Sequence, residues 1–154
     1  MAEYVPRFGA HISKTQAIRY GNRLEEIAVE GEITPELVLE DAKDSASPLH
    51  DYFEWDDSTA AFEWRLQQAR VLIRSIDLVR EDRPQETTNA YHFVKTTYVA
   101  SAKVFSDEEK SRHVIDNALS ELKGWQIRYK QYKELAKLND TISQGIREME
   151  KVTA

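Results

Sequence analysis

Apolar residues recur late in the chain at alternating intervals of three and four: Ile115, Ala118, Leu122, Trp125, Tyr129 and Tyr132. A strand, whose side chains alternate with period 2, would scatter these six over both faces. A helix with 3.6 residues per turn gathers them into one stripe. The segment Ser106-Asp107-Glu108-Glu109 precedes them and matches the S-x-x-E capping box, so C-terminal helices are expected over 106–151, with a break at Asn139-Asp140. The stripe either packs on its own chain or pairs with a second copy, making a homodimer through the C-terminal helix.

Five Gly and four Pro among 154 residues leave little room for a sandwich or a Gly-rich nucleotide fold. A first helix is expected from about Lys14 to Val29, weakened by Gly21 and ended by Gly31. Thr34 and Pro35 then suit the cap and first position of a second helix, with Leu37, Val38 and Ala42 on its buried side. Ser45 to Pro48 reads as a turn into a further helix anchored by Leu49 and Phe53. Asp56, Asp57 and Ser58 are cap candidates for a longer helix carrying Phe62, Leu66, Ala69 and Ile73.

After Arg74 the period changes. Ile76–Val79 and Tyr91–Val99 are rich in β-branched and aromatic residues, and the polar stretch Glu81–Asn89 lies between them. These two runs are expected to pair as one hairpin with a long loop. The expected fold is therefore mostly α (α+β): a single domain with a helix-turn-helix-like core over about 14–74, a hairpin over 75–100 and the C-terminal helices.

Several function classes drop out. The absence of Cys removes disulfide scaffolds, thiol catalysis and Cys-containing zinc sites. His11, His50, His92 and His113 form no ligand motif, and there is no phosphate-binding Gly loop or nucleophile elbow. No catalytic residue, metal site or cofactor is expected. The N-terminus has no apolar run and no stretch approaches the roughly 20 apolar residues of a membrane span, so a cytoplasmic protein is expected.

Charge supplies the positive clue. Among the Lys, Arg, Asp and Glu residues from Glu30 to Glu63, all but Lys43 are acidic, and Arg65, Arg70, Arg74, Arg80 and Arg83 follow. Such asymmetry marks a macromolecular surface, unless the two segments neutralise each other within the fold. The stretch HDYFEW adds aromatics to the acids. His50, Asp51, Tyr52, Glu54 and Trp55 are the candidate partner-binding residues, since Trp and Tyr ringed by polar groups favour protein docking. Phe53 and Phe62 are expected in the core.

Two resemblances bear on this segment. Val38, Ala42, Ser45, Leu49, His50, Tyr52 and Phe53 fall at offsets that resemble the helix-turn-helix of tetracycline-repressor-type regulators. That likeness implies DNA binding, with Ser47 and His50 facing bases and Arg65, Arg70 and Arg74 holding phosphates. Two departures stand against it. Lys43 occupies the position usually held by Gly, and the reading helix has no Lys or Arg while carrying acids that repel phosphate. More broadly, SPLHDYFEWDD from Ser47 to Asp57, the following Glu63-Trp64-Arg65-Leu66 and the late Leu135-Ala136-x-Leu138 resemble a family of phage and prophage proteins. This implies a phage origin and action in the host cytoplasm, without naming an activity. Two readings result: a DNA-associated accessory or regulatory protein, and a non-enzymatic module that docks a host or phage protein through an acidic, aromatic face, as a DNA-like decoy would.

Overall fold

The computed structural model describes residues 2–55 and 61–153. The cap candidates Asp56, Asp57 and Ser58 lie outside the described residues. The chain divides into two compact units, residues 1–110 and 111–154. The fold is mostly helical α+β, as the spacing and composition imply.

In the first unit, β1 (Tyr4–Pro6) leads into α1 (Lys14–Ile27), whose start is fixed by a reciprocal cap between Ser13 and Gln16. A short β2 (Glu32–Ile33) precedes α2 (Pro35–Ala42), where the Thr34 hydroxyl accepts the Leu37 amide at 3.2 Å, as expected of that cap. α3 (Ala61–Arg74) runs into β3 (Ile76–Val79), and β4 (Thr87–Asn89), β5 (Tyr91–Val94), β6 (Thr97–Ala100) and α4 (Ser101–Ser106) follow. Tyr20, Leu24, Val38, Leu49, Leu72 and Ile73 form the centre of one apolar core.

The strands make two antiparallel three-stranded sheets, ordered β1-β3-β4 and β2-β6-β5. Ala90 joins them, its amide donating to Ile76 and its carbonyl accepting from Ser101. The expected pairing of Ile76–Val79 with Tyr91–Val99 is replaced by two shorter closures. β3 takes β4 from within the expected loop, with Val79 opposite Thr87. Tyr91–Val99 instead folds on itself, with Val94 opposite Thr97, through a turn in which Lys95 adopts a left-handed φ of 57°. Nearby strands cost less closure entropy than distant ones, and the Arg80–Glu86 loop is tied by its own backbone bonds.

The first unit ends within the first turn of α5 (Glu108–Tyr129). Its cap is Asp107 rather than Ser106: the Asp107 carboxylate accepts the Lys110 amide at 3.1 Å, while Ser106 closes α4 by donating to Lys103 O. The second unit holds the rest of α5, a 3₁₀ turn (Lys133–Leu135) and α6 (Ala136–Thr153). The break expected at Asn139-Asp140 therefore falls earlier, after Tyr129. Asn139 sits inside α6, its side-chain amide donating to Leu135 O at 3.2 Å.

Candidate functional site

The stretch from Asp44 to Trp55 departs most from its sequence reading. No second α-helix follows α2 there; a single 3₁₀ turn, His50–Tyr52, takes its place. The cause is local. Asp44 Oδ1 accepts the Ala46 amide at 2.9 Å and Ser47 Oγ accepts the Leu49 amide at 3.1 Å. Such bonds offer the backbone an alternative to the helical ladder, and the turns close with three-residue reach instead of four.

Most of the candidate side chains here are used internally. Ser47 is buried, and its hydroxyl donates to Asp41, leaving no donor for a base edge. His50 Nδ1 lies 2.8 Å from Ala42 O, and its ring stacks on Trp55 at 4.9 Å. Trp55 Nε1 donates back to His50 O at 3.1 Å. Tyr52 meets Tyr20 edge-on and Phe53 is buried, as expected. Phe62, expected in the core, is exposed, as is Trp64. Asp44, Asp51 and Glu54 are the exposed carboxylates of this stretch, and Asp51 is 3.4 Å from Arg19.

The candidate arginines separate. Arg65 donates to Glu54 O at 2.9 Å and lies over the Trp55 ring. Arg70 is half-buried and Arg74 exposed, with Arg74 Nε donating to Arg70 O at 3.2 Å. Arg80 grips Asp82 with two bonds, of 3.0 and 2.6 Å. Asp41 and Asp51 of the acidic segment pair instead with Arg23 and Arg19 of α1.

Asp41 is the electrostatic knot of the unit. Burial by itself would raise its carboxyl, but bonds from Arg23 and Ser47 outweigh that and hold it below the ordinary carboxylate range. Arg23 and Asp41 join α1 to α2, and Ser47 brings in the following turn. These residues support the fold.

An open groove elsewhere in the first unit is the larger candidate. It has a volume of about 1030 Å³. Leu78, Val79, Ala102 and Phe105 are among its apolar lining, and Phe105 is 68% exposed. Glu3, Glu25, Glu81 and Asp82 line it against the single base Arg80. The Arg80 hydrogen bonds hold Asp82 below the ordinary carboxylate range, so it stays ionised at neutral pH. Glu25 accepts the Tyr4 hydroxyl at 3.1 Å. A lining of apolar side chains and carboxylates suits a segment carrying both apolar and cationic side chains. Among the described residues, no three His, Asp or Glu side chains converge as a metal would require. No helix among them is long and apolar enough to cross a membrane.

Comparisons with family models, curated proteins and solved structures found no match to this chain. Sequence reading missed the groove because its walls come from four separated segments, near residues 2–3, 25, 78–88 and 101–105. The one local signal was Phe105, an apolar residue just before the polar cap of α5.

Proposed function

We propose that this chain is a non-enzymatic protein-binding module that takes a basic, partly apolar segment of another protein into the acid-lined groove. The observation that carries the reading is exposed Phe105 in a groove with four carboxylates and one arginine. Apolar contact would supply affinity, and the carboxylates would supply orientation and salt-sensitive encounter. Following the phage resemblance, the partner would be a host or phage protein met in the host cytoplasm.

The DNA-associated reading keeps one specific support: Arg70 and Arg74 lie one turn apart on α3, and neither makes an ion pair among the described residues. It loses the base-reading helix, since His50–Tyr52 is a 3₁₀ turn and Ser47 is buried.

Fluorescence anisotropy separates the two. A labelled peptide alternating Lys with Leu should bind at low salt and weaken at least tenfold when Glu81 and Asp82 become Lys, or when Phe105 becomes Ser. A peptide with Glu in place of Lys should not bind. Labelled duplex DNA serves as the second probe. DNA binding lost on Arg70→Glu and Arg74→Glu, with no peptide binding, would overturn the proposal in favour of the DNA reading.

A further inference from the structure

The apolar stripe of α5 is left partly exposed by the hairpin that contains it. The polar contacts between α5 and α6 come from side chains outside the stripe. Gln126 donates to Asn139 O at 2.9 Å and to Ser143 Oγ at 2.8 Å, and Lys123 pairs with Glu150 at 2.5 Å. At about 100° per residue, Gln126 lies roughly 60° and Lys123 roughly 120° round the helix from the middle of the stripe, so these bonds hold α6 at the edge of the stripe and beyond it. Ile115, Leu122 and Tyr129 are each about 40% exposed, and Ile146 is the buried apolar side chain of the second unit among the described residues. The helix ends at Tyr129, so the stripe proper is Ile115, Ala118, Leu122, Trp125 and Tyr129; the Tyr132 ring follows against Tyr129 at 6.1 Å.

We infer that α5 pairs with the α5 of a second copy of this chain, antiparallel, with Leu122 of each facing Trp125 of the other. The spacing is that of a coiled-coil seam, with Ile115, Leu122 and Tyr129 in one position of the heptad and Ala118 and Trp125 in the other. The two directions of pairing are distinguishable by size and charge. A parallel pair sets Ala118 on Ala118 and Trp125 on Trp125, a void beside a clash.

An antiparallel pair centred between Lys123 and Gly124 sets small against large. Ala118 then faces Tyr129, and Leu122 faces Trp125, each twice by symmetry. Ala118, Leu122, Gly124, Trp125 and Arg128 border an open groove of about 750 Å³, and this is where the Tyr129 ring of the second copy would seat. The same register puts Glu121 of each copy beside Arg128 of the other. Neither makes an ion pair among the described residues, so both are available. The shape and charge match of the stripe with its own reverse selects a second copy over an unrelated partner.

The chain has no Cys, which makes the test direct. Full-length L122C and W125C proteins, mixed and oxidised, should give the 122–125 cross-linked dimer as the main product. Either protein alone should give at least tenfold less. Self-linked L122C as the dominant product would overturn the antiparallel register. Sedimentation of the full chain should give twice the chain mass at micromolar concentration. Glu121→Arg should weaken the dimer at least tenfold, and adding Arg128→Glu should restore it. These two surface changes leave the stripe intact, so an unfolded core variant cannot blur the result. A monomer at all concentrations would overturn the inference, whether the stripe is covered by its own chain or by a foreign partner.

Discussion

Gly21 sits in the middle of α1, where helix propensity alone would favour Ala by about 1 kcal/mol. Tyr4 explains its presence. A Cβ at position 21 would come within 2.3 Å of the Tyr4 ring, because β1 packs Tyr4 directly against the helix. Gly21→Ala should therefore destabilise by about 1–3 kcal/mol despite the better propensity, read as a lower urea midpoint. The double variant with Tyr4→Ala should recover part of the Gly21→Ala penalty, since the ring contacts go and only the Cβ of residue 4, 2.7 Å away, remains. His92 makes a second residue-level prediction. Burial, with a smaller push from Arg7, lowers it below the ordinary histidine value of about 6.5, and its Nε2 is buried without a protein partner. The fold disfavours the charged ring, so this contribution is full above the unfolded value. Stability declines as pH falls through about 6.5 towards the lower folded value. His92→Gln should flatten the melting temperature between pH 7 and pH 5 relative to the parent chain.

Elements of the first unit are tied together at a few polar points. Asp41 binds α1 through Arg23 and the 44–50 turn through Ser47, so its charge serves three segments at once. Asp41→Asn keeps the size and loses the charge-assisted bonds, and should cost about 2 kcal/mol at pH 7. Its folded value is depressed, so this stabilisation is present above the unfolded carboxyl value. It disappears as pH falls through the folded one. Unfolding curves of parent and variant should converge at acid pH; a constant gap at all pH values would remove the charge from the account. At the 44–55 stretch, the Asp51→Ser, Glu54→Ser double variant changes exposed side chains only, and should move stability by no more than about 0.5 kcal/mol. If it also leaves peptide binding unchanged while groove variants abolish binding, the partner site belongs to the groove and not to HDYFEW.

The two units of the whole molecule differ in how they are held. The first buries an apolar core contributed by both sheets and by α1, α2 and α3. The second is a helical pair in which, among the described residues, Ile146 is the buried apolar side chain and a few polar bonds join the helices. Two helices with so little buried surface are marginal in water unless something covers their apolar stripes. Hydrogen exchange should show this as a division at about residue 110. Leu122→Glu should speed exchange throughout 111–153 by tenfold or more while leaving the core of 2–110 protected. Uniform acceleration across the chain would mean that the two units unfold as one.

Features decided by neighbours within one helical turn were legible in the sequence. The stripe on α5, the Thr34 cap, the buried positions Val38, Ala42, Leu49 and Phe53, and the mostly helical fold all rest on spacings of three or four residues. Periodicity and capping act over that range, so the residues themselves carry the information. The sequence did not decide which strand pairs with which, because Tyr91–Val99 has equal chemical claim on Ile76–Val79 and on itself; closure entropy and the left-handed Lys95 turn chose the nearer partner. Nor did it show that Ser47 and His50 turn inward. That depended on Asp41 and Trp55 being brought to them in three dimensions. The groove is the extreme case: Glu3, Glu25, Asp82 and Phe105 share no local pattern. Only burial of one core between two sheets and three helices, an interaction blind to sequence distance, sets their side chains around a common space.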